Sequence, residues 1–250
     1  MILIPIPKED FDPTEVSIPW KILKIQGYDV RFATPDGSIS KGDHRMVYGT
    51  NLGIFKSILM ARKDAVLAYK ELIESEEFNN PISYSKIQFN DYKGLILPGG
   101  HAPGMKTYLE SKVLQNKVVD FFINELPVGA ICHGTVVLAR TINPDTGYSV
   151  IKKHQTTGLL KKQELGAYLL TKLWLKNYYR TYPITVEDEV KQALSNPKNF
   201  KKGNSGLFRD SPQRKKHGFV VQSGHYISAR WPGDVYQFTD VFINLINKNT

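Results

Sequence analysis

The sequence predicts an α/β fold, a mainly parallel sheet with helices on both faces. Three observations carry that reading. Short apolar runs of strand length alternate with stretches of helical periodicity along much of the 250 residues. The runs inside "YKGLILPGG" (92–100) and "PVGAI" (127–131) are apolar throughout, as strands covered on both faces are. Each leads into a turn of small residues, at the strand end where parallel sheets form their ligand crevice.

The elements follow in order. "MILIPI" (1–6) is a strand, and "DPTEVSIPWKILKIQG" (12–27) sets Val16, Trp20 and Leu23 on one helical face. "YDVRFAT" (28–34) is a second strand, stopped by "PDG", which completes a βαβ opening. "YKGLILPGG" is a buried strand ending in a glycine turn, "SKVLQNKVVDFFINEL" (111–126) an amphipathic helix, "PVGAI" another buried strand and "GTVVLARTI" (134–142) the next helix. Two stretches interrupt the alternation. Residues 38–93 hold the helical "ARKDAVLAYKELIESEEF" followed by "NNPISYSKIQFNDY"; residues 141–225 mix "QELGAYLLTKLWLKNYY" with polar, lysine-rich loops. Both read as insertions around one sheet, and 1–250 as a single domain. No fixed-period repeat and no Gly/Ser- or Pro-rich linker divides the chain. The closing "GDVYQFTDVFINLINK" (233–248) reads as a helix with Asp234 as N-cap and Gln237 at N3.

Hydrophobic residues make up 41% and charged residues 23%, and no apolar run approaches the roughly 18 residues that span a bilayer, so a soluble chain without membrane contact is expected. The opening "MILIPIPKED" turns polar too early for a signal peptide. A single cysteine cannot form an internal disulfide and fits a reducing cytoplasm. The net charge of +9 gathers in "IKKHQ", "LLKKQ", "NPKNFKKGN" and "SPQRKKHG". These runs lack the interleaved aromatics or recognition helix of a nucleic-acid module, so they read as a solvated basic surface and nucleic acid is not an expected partner. The rival reading is that the loops of 151–216 recruit an anionic partner.

The one cysteine, Cys132, sits in "AICHG" between a buried strand and a helix, with Ala130 and Gly134 two residues to either side. A nucleophile on a sharp strand-to-helix turn needs small residues there, because the turn brings those backbones together. The first amides of the following helix would favour thiolate over thiol. The bland alternative is a small hydrophobe packed at a strand end. "LILPGGHAPG" (95–104) adds a second turn at a parallel strand end, where Gly99 and Gly100, with His101 next to them, could present amides to an oxyanion together with the His133 amide.

Taken together, "DPTEVSIPWKILKIQGYDVRFATPDG", "LILPGGHAPGMKTYLES" and "GAICHG" resemble the PfpI superfamily, which has the flavodoxin-like sandwich shared with class I glutamine amidotransferases. They stand in the family's order over most of residues 1–140, and "NYYRTYP", "EDEVKQAL" and "SARWPGD" extend the likeness to an amidotransferase-like branch related to the heat-inducible glyoxalase and chaperone proteins. The resemblance implies Cys132 as nucleophile, His133 as its base and oxyanion donor, and Glu15 as a carboxyl beside the sulfur. From its own surroundings Glu15 reads otherwise: "DPTE" is a capping arrangement with Pro13 at N1 and Glu15 at N3.

The chain also departs from its relatives' patterns. None of His154, His217 or His225 is followed by Glu two residues on, which argues against glutamine hydrolysis. Near the elbow helix the only aspartate is Asp145, so the third member of a triad is unassigned; Glu187, Asp188 and Glu189 are candidates by charge alone, in what looks like an exposed first helical turn. The resulting expectation is a cytoplasmic, cysteine-dependent lyase or hydrolase acting on small carbonyl or acyl compounds, glyoxalase- or deglycase-like, using no cofactor or metal and forming the homodimer usual in the family. The alternative is a non-catalytic stress protein, a redox sensor or holdase chaperone.

Overall fold

The computed structural model describes residues 1–204, 206 and 208–248. Among them, seven strands form the main sheet: β1 (Ile2–Pro5), β2 (Val30–Thr34), β3 (Ile82–Ser83), β4 (Gly94–Leu97), β5 (Val128–Ile131), β6 (Val220–Ser223) and β7 (Tyr226–Ala229). They lie in the order β6-β7-β5-β4-β1-β2-β3. Every neighbouring pair is parallel except the β6–β7 hairpin. The four central strands β1, β4, β5 and β7 are buried at every position, as sides covered by helices require.

The longer helices are α1 (Pro13–Ile25), α2 (Lys63–Ile73), α3 (Lys112–Ile123), α4 (Gly134–Arg140), α5 (Lys161–Leu175), α6 (Val186–Ala193) and α7 (Val235–Lys248). α1 packs between α2 and α7, and α4 packs against α3 and α6, so helices cover the sheet on both faces. α2 turns Ala65, Ala68, Tyr69 and Leu72 inward, the i, i+3, i+4, i+7 stripe its sequence shows.

Three expectations change. The stretches read as insertions supply parts of the frame: 38–93 contributes α2 and the edge strand β3, and 141–225 contributes α6 and β6. Two paired residues are too few to show a period, which is why β3 was invisible. The helix expected over 61–78 breaks at Ser75, whose hydroxyl accepts from the Phe78 amide and starts a separate turn at Glu76. Asp234, expected to cap α7, is drawn elsewhere. Its carboxylate takes the guanidinium of Arg230 through two 2.8 Å bonds, with both side chains fully buried. The Gln237 amide is capped instead by Asp210 at 2.8 Å. An unpaired buried guanidinium costs several kcal/mol, on the order of 3–5, against roughly 1 for a cap, so the ion pair wins Asp234.

Candidate active site

β5 delivers Cys132 to the carboxyl edge of the sheet. Its amide still donates to Ala229 of β7 (3.1 Å), and the chain then turns sharply, with Cys132 at φ +57° and α4 starting two residues later. A residue with a side chain enters that left-handed region at a cost of about 1–2 kcal/mol. The neighbours are small for a visible reason: a Cβ on Gly134 would lie 2.0 Å from the Leu97 carbonyl oxygen of β4. Cys132 is only 5% exposed.

Glu15 arrives from the first turn of α1. Asp12 caps that helix, accepting from Thr14 (2.8 Å) and Glu15 (3.2 Å), while its own amide donates to the Gly99 carbonyl (2.9 Å). The reciprocal half of a capping box is therefore absent. Glu15 Oε2 instead accepts from the Gly99 amide at 2.7 Å, Oε1 is buried with no hydrogen-bond partner, and the carboxyl is close enough to the Cys132 thiol for each to influence the other's titration. Gly99 sits where the three meet: a Cβ there would lie 2.6 Å from the His133 amide nitrogen, 2.9 Å from Glu15 Oε2 and 3.0 Å from Cys132 Cβ.

Burial dominates the electrostatics. It pushes Glu15 well above the usual carboxyl range, with Asp12 adding to the shift, and lifts Asp12 to about 6. The upward shift favours the protonated carboxyl, the form with an O–H to donate. The Cys132 thiol is likewise pushed well up, by burial first and then by Glu15 and Asp12, against the opposing His133 amide. The expected lowering of the thiol by the α4 N-terminus is outweighed, because a seven-residue helix end offers little against complete desolvation.

The His133 ring bridges two groups. Nδ1 lies 3.5 Å from Cys132 Sγ, and Nε2 lies 3.3 Å from Thr181 Oγ1. Since the Thr181 hydroxyl donates to the His101 carbonyl (2.7 Å), it can only accept from His133. Nε2 must then carry the ring proton, and Nδ1 turns its lone pair to the sulfur. Burial holds His133 down to about 3, so the ring is neutral. The group behind the histidine is a hydroxyl, where the sequence suggested a carboxylate. Glu187 is taken by Lys191 and Lys202, Asp188 by Lys161 and Glu189 by Arg140, and Asp145 lies in an exposed turn. Thr181→Val should lower turnover about tenfold, the lower end of what partners orienting a functional histidine contribute, with Thr181→Ser near native. Nitrogen NMR shifts of the ring should show the single tautomer lost in the valine variant; an unchanged tautomer and rate would remove Thr181 from the site.

The two turns divide their amides. That of Gly99 is spent on Glu15, which corrects its expected place in an oxyanion hole; that of His133 faces the Cys132 sulfur. Gly100 has φ +154°, and a Cβ there would meet the Asp10 carbonyl at 2.8 Å. His101 stacks on Tyr179 (4.3 Å) and meets the edge of Tyr178 (5.1 Å). Its Nε2 is 3.9 Å from Asp43, but burial lowers His101 to about 3, so the two form no ion pair; Tyr178 donates to Asp43 instead.

A cleft of about 850 Å³ opens on the outer side of Thr181, between Asp10, Asp43, Arg45, Lys106 and Arg180. Cys132 and His133 do not line it; Thr181 does, and the His133 ring joins Thr181 to the sulfur. Nothing in the sequence singled out Thr181, which sits 48 residues beyond His133 in a loop where any hydroxyl would read as solvated. Among the described residues no cluster of three or more His, Cys, Asp or Glu side chains could hold a metal ion, and no helix is long and apolar enough to cross a membrane.

Comparison with known proteins adds to this geometry. A family described as ThiJ/PfpI family-like matches residues 6–204. The chain is similar to a glutathione-independent glyoxalase, hsp3102, of Schizosaccharomyces pombe, 29% identical over 157 residues, which are 60% of each chain. It is similar to the deglycase PfpI of Pyrococcus furiosus, 21% identical over 95% of this chain and 94% of that one. For the S. pombe glyoxalase and an uncharacterized protein of the same yeast, the matched region covers only 60% and 49% of the relative's length. Among solved structures, the glyoxalase III of Candida albicans has a TM-score of 0.67 at 17% identity, covering 98% of this chain and 96% of that one. The Rapid Encystment Protein of Francisella tularensis has a TM-score of 0.68 at 15% identity, covering 98% of both. At such identities the structural likeness is one of fold.

Proposed function

This chain belongs to the ThiJ/PfpI-like family, and from that premise we propose that it is a cysteine-dependent enzyme converting small 2-oxoaldehydes to 2-hydroxy acids without glutathione. The observation that carries the reading is the buried Glu15 carboxyl held by the Gly99 amide near the thiol of Cys132, with His133 Nδ1 3.5 Å from the sulfur. Relatives named glyoxalase and deglycase support it.

The chemistry balances without an oxidant. The Cys132 sulfur adds to the aldehyde carbon, its proton passing to His133 Nδ1, while Glu15 gives its proton to the oxygen, which becomes the hydroxyl of a hemithioacetal. The carboxylate this leaves on Glu15 takes the hydrogen on that carbon as a proton while His133 returns its proton to the neighbouring carbonyl oxygen, giving an enediol; Glu15 then delivers the proton to the neighbouring carbon as His133 takes up the hydroxyl proton on the sulfur-bearing carbon. The product of this shift is a thioester. Water hydrolyses it, releasing the 2-hydroxy acid and restoring the thiol. One carbon is oxidised and its neighbour reduced, so the sum is addition of water. The His133 amide, already beside the sulfur, is the donor closest to the developing oxyanion.

The buried site weighs against a redox sensor. Peroxide sensing needs an accessible thiolate, whereas this thiol is buried and pushed up. The test is direct. With methylglyoxal as sole substrate and no glutathione present, the aldehyde should disappear as lactate forms; in heavy water the lactate should carry deuterium on its second carbon. Loss of methylglyoxal without lactate would sink the proposal.

A further inference from the structure

One face of α5 is apolar, and among the described residues nothing covers it. Thr171 and Leu175 are buried, yet Leu169, Leu170, Leu173 and Trp174 stand in solvent, Leu173 at 89% exposure. The segment 53–58 lies beside it and adds Ile54, 87% exposed, and Ile58. Phe55 stacks on Trp174 (6.2 Å) and the Trp174 indole donates to the Asn51 carbonyl (2.7 Å), so the two segments form one surface. Scattered aliphatic tips are ordinary; this many on two joined segments form a patch.

The charge beside the apolar tips has one sign, the acids brought to α5 by another element, Glu187 and Asp188, lying at its N-terminal end and paired with Lys161, Lys191 and Lys202. Residues 44–63 and 165–186 contain no Asp or Glu, while Lys56, Lys172 and Lys176 are exposed beside the apolar tips and Lys162 stands at the start of the same helix. Glu164, the one acid within α5, is buried against Arg180 and the Val186 amide. A second copy of the chain is a poor occupant, because two such faces would set lysine against lysine with no acid on either side. The occupant must be apolar and anionic at once. Nearly free tips such as Leu173 and Ile54 would need matching pockets on a protein, whereas the acyl boundary of a bilayer admits them anywhere, and an indole suits the headgroup level.

We infer that this face lays α5 on an anionic lipid surface, with Leu170, Leu173 and Ile54 entering the acyl boundary and the lysines meeting the headgroups. The helix lies on the membrane and does not span it. Arg45 and Leu175 line both the active-site cleft and the hollow beside Trp174, so docking sets the cleft next to the lipid surface.

The experiment is co-sedimentation of the full chain with vesicles of phosphatidylcholine, with and without phosphatidylserine, followed also by Trp174 emission. Binding and a blue shift are expected only with phosphatidylserine. Leu173→Glu should abolish both while leaving the melting temperature unchanged, since the side chain is free. Lys172→Ala should weaken partition about fivefold, the worth of one lysine near an anionic surface. Lys198→Ala and Lys201→Ala, in the basic loop away from the patch, should change little. Failure to bind phosphatidylserine vesicles overturns the inference, as does binding indifferent to Leu173→Glu. Self-association abolished by Leu173→Glu, or capture of an acidic protein through the patch without vesicle binding, would also overturn it.

Discussion

Cys132→Ala should reduce carbonyl turnover to the solution background while leaving the fold in place. Removing a covalent nucleophile costs on the order of 10⁴- to 10⁶-fold, because the remaining groups act only on an intermediate that no longer forms. Neither neighbour can stand in: Glu15 is held by Gly99, and the His133 ring, neutral and backed only by a hydroxyl, cannot keep a proton taken from water. The structure bears the loss easily, since alanine keeps the small volume that the turn allows. It does not relieve the turn, because alanine at φ +57° still carries a Cβ. Cys132→Gly does relieve it, so the glycine variant should be equally inactive and melt no lower than the alanine variant, its backbone freedom in the unfolded chain offsetting part of the gain. Turnover of methylglyoxal and thermal melting of the two proteins check both halves. Native turnover in Cys132→Ala would end the nucleophile reading.

This divided behaviour of Cys132 shows what the sequence could and could not reveal. The need for small residues around it was legible, since Ala130 and Gly134 flank it at the spacing a strand-to-helix turn demands, and β4 and β5 declared themselves as unbroken apolar runs. The electrostatics were not. A helix N-terminus after a cysteine suggests a lowered thiol, yet whether desolvation overrides it depends on how the fold buries the sulfur and brings Asp12 and Glu15 to it from a distant segment. Glu15 is ambiguous by spacing alone, because the box it could complete needs the Asp12 amide, and only the fold shows that amide given to Gly99. Thr181 was out of reach for another reason: its value comes from the direction in which its hydroxyl is already committed, to the His101 carbonyl. The same holds for Asp210, a loop aspartate in sequence and the cap of α7 in space.

Glu15→Gln separates the proton carrier from the structural acid. Glutamine keeps the carbonyl that accepts from Gly99 and an N–H that can face the sulfur, so geometry and Cys132 position should survive. What it cannot do is give up and regain a proton, and turnover should fall by roughly 100-fold or more, the usual scale of general acid–base catalysis. Stability should move the other way. A carboxyl whose folded pKa lies above its unfolded one contributes stability that is present below the unfolded value and lost as pH rises through the folded one, so the wild-type chain carries the burden of Glu15 at alkaline pH and the glutamine variant does not. Glu15→Gln should therefore melt at or above the wild-type temperature at pH 8, with the difference shrinking toward pH 4. The thiol supplies a third readout. Its second-largest upward influence is the Glu15 charge, so iodoacetamide alkylation of Cys132, expected to rise only at pH above that of a free cysteine, should shift to lower pH in the variant. Turnover at the native rate in Glu15→Gln would return Glu15 to a structural part and leave the proton to be carried by another group; a Cys132 alkylation profile matching free cysteine in the parent would mean that the thiol is not held up by burial at all.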